Sequence, residues 1–248
     1  MLERSISVEF LGLPGVGKTC ISCRVAEILR RGGVPVREPT YSLGHGPGRP
    51  PRSFKRMARK SIHVAREIVT HPWSSLLSLR ALCGTRQRSF PVLCKMSFNW
   101  LLVSSLLRRT EAVPAVYLFD QGIFQALWSI GLDARPGAIR DMGRVVLERV
   151  PLPDVVAVLE AELATIAGRL NSRSGHESRA DAWHPDDTEA FARSSVMLEQ
   201  IKALMRDGTR RRESPLVIRV QNDTNADLET NALRLAAEIQ RLTGEWAA

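Results

Sequence analysis

Ile6-Ser7-Val8-Glu9-Phe10-Leu11 runs without a break into Gly12-Leu13-Pro14-Gly15-Val16-Gly17-Lys18-Thr19, and CISCRVAEILRRGG, Cys20 to Gly33, follows at once. The apolar run predicts a buried strand over Ser5 to Leu11, and the third stretch carries apolar residues at helical spacing until Gly32 and Gly33 close it. The middle stretch fits GxxxxGK followed by Ser or Thr. Its glycines let backbone N–H groups wrap phosphate oxygens, and the helix that follows adds the positive end of its dipole. Gly12, Pro14, Gly15, Val16, Gly17, Lys18, Thr19 and Cys20 are the expected nucleotide-binding residues. Lys18 is expected to reach the β- and γ-phosphates of ATP, and the Thr19 hydroxyl to ligate Mg²⁺. A Gly-rich turn with no ligand would match the composition of the loop but not its position between a strand and a helix.

Further strands are expected at Val34 to Arg37, Ala115 to Phe119, Asp154 to Leu159 and Leu216 to Val220, with helical patterns between them. Strands alternating with helices imply right-handed crossovers and a parallel sheet covered on both faces, an α/β fold. Two connections exceed what a crossover needs. The first, about residues 40–113, opens with GHGPGRPPR and continues as helices around Lys55 to Val69, Trp73 to Leu82 and Phe90 to Arg108. The second, about residues 169–183, is polar and rich in Arg, Ser and Gly, and is expected to act as a mobile lid. The whole chain is expected to form one domain.

Charge singles out the first connection. From Gly44 to Thr110 there are thirteen basic residues against the single acid Glu67, although the chain of 248 residues carries only +9 overall. An anionic partner is expected there, the alternative being a solvated basic face. No run of about 18 apolar residues occurs, and the N-terminus opens with Met1-Leu2-Glu3-Arg4, so a soluble cytoplasmic protein without a transmembrane segment is expected. Cys20, Cys23, Cys83 and Cys94 are expected to be plain thiols packed in the core. The oligomeric state is open between monomer and homodimer.

Asp120 follows the apolar run Ala115 to Phe119, so its carboxylate is expected at the ligand-binding end of a central strand, where it can hold Mg²⁺ or a metal-bound water. A turn or helix cap is the competing reading. Glu38 ends the second strand beside Pro39 and is expected to project at the same edge, where a carboxylate can take a proton from an acceptor hydroxyl or orient it.

The chain resembles the thymidylate kinase and deoxynucleoside kinase branch of P-loop phosphotransferases. Four segments in order carry the resemblance: the phosphate loop, REPT at residues 37–40, DQG at 120–122 and RSGHESR at 173–179. The resemblance implies a three-layer fold on a five-stranded parallel sheet in the order 2-3-1-4-5, MgATP as donor, and an acceptor seated between the helical insertion and the lid. It further implies that Glu38 lies at the acceptor and that Arg169, Arg173 and Arg179 offer charge during transfer. Relatives usually carry Arg directly after the acid of the third strand, and here that position is Gln121. Arg52, Arg56 and Arg59, spaced to share one helix face, are candidates to replace the missing charge, with Gln121 and Gln125 as further acceptor contacts. Trp128 has two readings, an acceptor wall or core packing.

The function expected is therefore ATP-dependent transfer of a phosphoryl group to a small acceptor, anionic or nucleoside-like. A GTP-type switch needs an NKxD-type base-reading motif and a DxxG switch, and neither appears in the sequence. The runner-up is a P-loop protein that acts on nucleic acid, although no aromatic stripe interleaves the basic residues. A third reading lays the apolar helix Ser97 to Arg109 on a membrane, against the simpler one of a packing helix.

Overall fold

The computed structural model describes residues 4–43, 54–172, 188–207 and 214–245. Its five strands are β1 (Ile6–Gly12), β2 (Val36–Arg37), β3 (Val116–Phe119), β4 (Val155–Glu160) and β5 (Leu216–Gln221). All pair in parallel, in the order β2-β3-β1-β4-β5. The expected order 2-3-1-4-5 is therefore observed, and each strand lies within two residues of its expected bounds.

Residues alternate between the two faces of the sheet and build two cores. Ile6, Val8 and Phe10 of β1 and Val116 and Leu118 of β3 pack with Ile21, Val25 and Leu29 of α1 (Lys18–Arg31) and Leu235 and Ile239 of α10 (Asn225–Glu245). On the opposite face Leu11, Tyr117, Phe119, Val156 and Val158 meet the helices that follow β2, β3 and β4. Between β2 and β3 these are α2 (Pro39–Ser42), α3 (Phe54–Thr70), α4 (Pro72–Cys83) and α5 (Phe90–Arg108). After β3 come α6 (Ile123–Gly131) and α7 (Ala138–Val146), and after β4 come α8 (Leu163–Asn171) and α9 (Thr188–Asp207).

Helix α5 with the turn after it is the one segment among the described residues whose length and apolarity would suffice to cross a bilayer. Its Trp100, Leu101, Val103, Leu106 and Leu107 are buried and the helix packs on α3 and α6, so it is the packing helix of the simpler reading. Trp128 is likewise core, and its indole N–H donates to the Ser194 carbonyl at 3.0 Å. The cysteines depart from expectation. Cys20, Cys83 and Cys94 are exposed and Cys23 half-buried, all with free thiols. On α1 the inner face is filled by Ile21, Ser22, Val25, Ala26 and Leu29, which leaves both cysteines off it.

Candidate active site

The loop between β1 and α1 takes the shape its glycines permit. Gly15 and Gly17 have φ of +85° and +97°, a left-handed backbone that costs other residues roughly 1–2 kcal/mol. A Cβ on Gly17 would stand 2.6 Å from Asn222 Nδ2, and one on Gly12 would stand 2.6 Å from the Leu159 carbonyl oxygen. Helix α1 begins at Lys18, so the loop ends on a helix N-terminus. The Lys18 ammonium folds back over the loop and donates to the carbonyls of Gly12 at 2.8 Å and Leu13 at 3.0 Å.

Asp120 leaves the end of β3 into this space. It is 2% exposed, and its two oxygens are shared. The Thr19 hydroxyl donates to Oδ2 at 3.3 Å and the Thr40 hydroxyl to Oδ1 at 2.5 Å. Sequence reasoning assigned no part to Thr40. The signal for it was the hydroxyl two residues beyond Glu38, on the first turn after a very short strand. Thr19 and Asp120 fit a hard cation: Mg²⁺ takes oxygen ligands, usually one or two carboxylates, and fills its shell with water and phosphate. No larger cluster of acids, His or Cys suited to a metal occurs among the described residues.

Glu9 is a second residue beside the loop to which sequence reasoning assigned no part. It sits in β1 on the face toward α6, fully buried, and accepts the N–H of Gln125 at 2.7 Å and of Phe124 at 3.2 Å. Burial pushes its carboxyl up to about 7, opposed by these backbone donors. Gly122 is required where it stands, because a Cβ there would fall 2.3 Å from the Glu9 carboxyl. Gln125 closes the circuit, its side-chain oxygen accepting the Gly12 N–H at 3.3 Å. The helix after DQG is thus tied both to β1 and to the phosphate loop. Gln125 is buried in this role, and Gln121 is exposed.

Glu38 follows the last residue of β2. Arg37 pairs with Tyr117, so Glu38 is level with Leu118, two residues or about 7 Å short of Asp120 along the strand. Its Oε2 takes the Arg30 guanidinium at 2.8 Å, whereas Oε1 is buried with no protein partner. Cys23 of α1 stands near both acids; burial, then the Glu38 charge, push its thiol up to about 11. Glu38 opens onto a cavity of about 570 Å³ lined also by Arg37, Tyr41, His63, Leu106 and Arg109. His63 Nδ1 is the cavity's other buried polar atom without a partner. Burial and then the nearby Arg109 and Arg66 hold its imidazole below the ordinary histidine range. Arg56 and Arg59 do not line this cavity: Arg56 is half-buried and Arg59 exposed on α3. Arg52, Arg173 and Arg179 lie outside the described residues.

Arg169, at the end of α8, donates to the carbonyls of Asn222 at 2.8 Å, Asp223 at 3.0 Å and Val16 at 3.4 Å. The Asn222 amide also donates to the Val16 carbonyl, at 2.7 Å. Together they staple the phosphate loop to the β5–α10 turn. An apolar cavity of about 670 Å³ lies behind the loop, between Leu13, Val16, Ile166 and Leu198. On its rim the Lys202 ammonium bridges Glu160 and Glu199.

No family model matches the chain, and no curated protein matches it in sequence. Solved structures match it in shape. Deoxyadenosine kinase from M. mycoides with bound dATP aligns with a TM-score of 0.53 at 14% identity, over 93% of this chain and 99% of that one. The same enzyme with dCMP and a flexible dCDP gives 0.52 at 11% identity, over 96% and 100%. Thymidylate kinase from Ehrlichia chaffeensis gives 0.52 at 11% identity, over 96% and 99%. A phosphate loop on the central strand of a 2-3-1-4-5 parallel sheet, with a helical insertion after the second strand, is thus the fold that this chain shares with deoxyadenosine and thymidylate kinases.

Proposed function

We propose that the chain is an ATP-dependent phosphotransferase that moves the γ-phosphoryl group of MgATP onto a small nucleoside- or nucleotide-like acceptor. The observation that carries this reading is the junction at Asp120. One oxygen faces Thr19 of the phosphate loop, and the other is bonded by Thr40 of α2, whose neighbours Pro39 and Tyr41 wall the cavity at Glu38. Donor and acceptor sites would meet across one carboxylate. Transfer of this kind asks little covalent chemistry of the protein and much positioning of charge.

In this reading Lys18 exchanges its carbonyl contacts for the β- and γ-oxygens of ATP. Bound Mg²⁺, held by Thr19 and Asp120, would neutralise phosphate charge. The Glu38 Oε1 atom accepts a hydroxyl of the acceptor, with Arg30 holding the carboxylate in place. Arg37, Arg109 and His63 offer donors to the rest of it. Arg169 acts as the staple of the loop, and Arg173 and Arg179 stay candidates for charge stabilisation during transfer. The structural likeness to small-molecule kinases lends no support to the nucleic-acid alternative.

An ATP-consumption screen across nucleosides, nucleoside monophosphates, sugars and short oligonucleotides tests the proposal, with Lys18→Ala as the control. We expect turnover with a nucleoside or nucleoside monophosphate that the variant abolishes. Turnover unchanged in Lys18→Ala would remove the kinase reading, and stimulation by oligonucleotides alone would replace it with the runner-up.

A further inference from the structure

Helices α3 and α4 are built inside out. The inward side of α3 carries Val64 and the buried carboxylate of Glu67, which takes the Arg108 guanidinium at 2.9 Å, with Lys60 and His63 half-buried beside them. Its outward side carries Phe54, Met57, Ile62, Ile68 and Val69. At about 100° per residue these five, with Ala58 and Ala65, fall within one arc of roughly 140°. Exposed Lys55, Arg59 and Arg66 run along one border of that arc. Helix α4 repeats the inversion: Ser75, Ser78 and Leu82 are buried, while Trp73 and Leu76 face out. The two faces adjoin at the corner between the helices, where Val69 is 77% and Trp73 75% exposed. Amphipathic helices of soluble proteins turn the apolar face inward, and an apolar patch of this extent left in water marks an interaction surface.

Charge decides what that surface meets. The single acid of α3 and α4, Glu67, is buried on Arg108, whereas Lys55, Arg59, Arg66 and Arg80 are exposed. A second copy docked antiparallel, about a two-fold axis perpendicular to α3, would set this cationic border against itself. An anionic bilayer complements both features at once. Apolar side chains enter the boundary between headgroups and acyl chains, an indole such as that of Trp73 favours that depth, and Lys and Arg meet lipid phosphates. We propose that the α3–α4 face docks the protein on the surface of an anionic lipid bilayer, with no helix crossing it. This inference stands apart from the phosphotransferase reading, since it uses neither the phosphate loop nor the Glu38 cavity.

The test is flotation of the whole protein with vesicles of three parts phosphatidylcholine to one part phosphatidylglycerol, beside vesicles of phosphatidylcholine alone. Binding is expected to the first and not to the second, and is expected to weaken as salt screens the lysines and arginines. The double variant Ile62→Ser/Val69→Ser should lose it, and the triple variant Lys55→Gln/Arg59→Gln/Arg66→Gln should weaken it by about 100-fold. All five side chains are exposed, so thermal unfolding should change little. Leu233→Ser, an exposed position on α10, should bind as the parent does. Three results would each overturn the proposal: no flotation with either vesicle, equal flotation with both, or a dimer by light scattering that Ile62→Glu converts to monomer, which would assign the face to a second copy.

Discussion

The Glu9 carboxylate accepts the backbone N–H of Gln125 at 2.7 Å, across 116 residues of sequence, and Gln125 in turn holds the N–H of Gly12 through its side chain. The acid in β1 thus fixes the start of α6, and α6 fixes the first residue of the phosphate loop. Such a contact has a pH signature. Burial raises the Glu9 carboxyl from 4.5 to about 7, so the folded state binds a proton that the unfolded chain has released. The contribution of Glu9 is fully present below about pH 4.5 and is lost as pH rises through about 7. Two to three pKa units correspond to about 3 kcal/mol. Denaturant titrations across this window should show stability falling with pH in the parent and a flatter profile in Glu9→Gln. Parallel profiles would mean that the carboxyl is not what titrates.

Gly17→Ala should damage the loop twice over, through its φ of +97° and through the approach of the new Cβ to Asn222 at 2.6 Å. A loss of about 1–3 kcal/mol in stability is expected, with ATP binding weakened at least tenfold by roughly the same strain. Adding Asn222→Ala should relieve the steric part and leave the backbone part. Because Asn222→Ala also removes the bond to the Val16 carbonyl, the reference is Asn222→Ala alone: if Gly17→Ala weakens ATP binding as much in that background as in the parent, by calorimetric titration, the contact to Asn222 is not what limits the loop.

Thr40→Val keeps shape and removes one hydrogen bond, the 2.5 Å donation to Asp120. Stability should fall by about 1 kcal/mol. If Asp120 holds the metal, the concentration of Mg²⁺ that supports half-maximal transfer should rise several-fold, while ATP affinity without metal stays the same. An unchanged Mg²⁺ requirement would reduce Thr40 to a tie between α2 and β3.

Much of the fold was legible because its signals are local. The strand, loop and helix from Ile6 to Arg31 follow from contiguous residues, and the alternation of elements then yields the sheet. What escaped depends on distant partners. Glu9 reads as one polar residue in an apolar run, and nothing near it announces the N–H groups of Phe124 and Gln125 that offset part of its burial. Helix α7 is faint in sequence because AIRDMGRVV is short and broken by Gly143, a glycine that gives Leu204 of α9 room: a Cβ there would fall 2.8 Å from the Leu204 side chain. Glu38 was expected at the sheet edge that carries the phosphate loop, at the end of β2. Only two residues of it pair, and Arg30 from the end of α1 claims the carboxylate. The basic insertion was read as one feature, whereas α3 divides it between an inner and an outer side.

The acceptor can be classed by two substitutions among the residues that line the Glu38 cavity. Glu38 presents Oε1 with no protein partner, so a hydroxyl acceptor would donate to it and be held for in-line attack. Glu38→Gln preserves size but trades a carboxylate for an amide, a weaker acceptor that cannot take a proton. For a hydroxyl acceptor turnover should then fall by roughly 10²- to 10⁴-fold with ATP affinity unchanged. An acceptor that reacts through a phosphate already ionised needs no base, and its loss should be much smaller. Arg109→Gln probes the cationic part of the lining, because a guanidinium binds phosphate through two parallel N–H donors and an amide cannot. It should raise KM steeply for a phosphorylated acceptor and only slightly for a neutral one. The two variants together give a diagonal pattern: a large effect at Glu38 and a small one at Arg109 for a nucleoside-like hydroxyl acceptor, the reverse for a monophosphate. Steady-state kinetics on whichever compound the ATP screen identifies would read it directly. If both variants turn over that compound as the parent does, it binds elsewhere, and the cavity beside Glu38 is not the acceptor site.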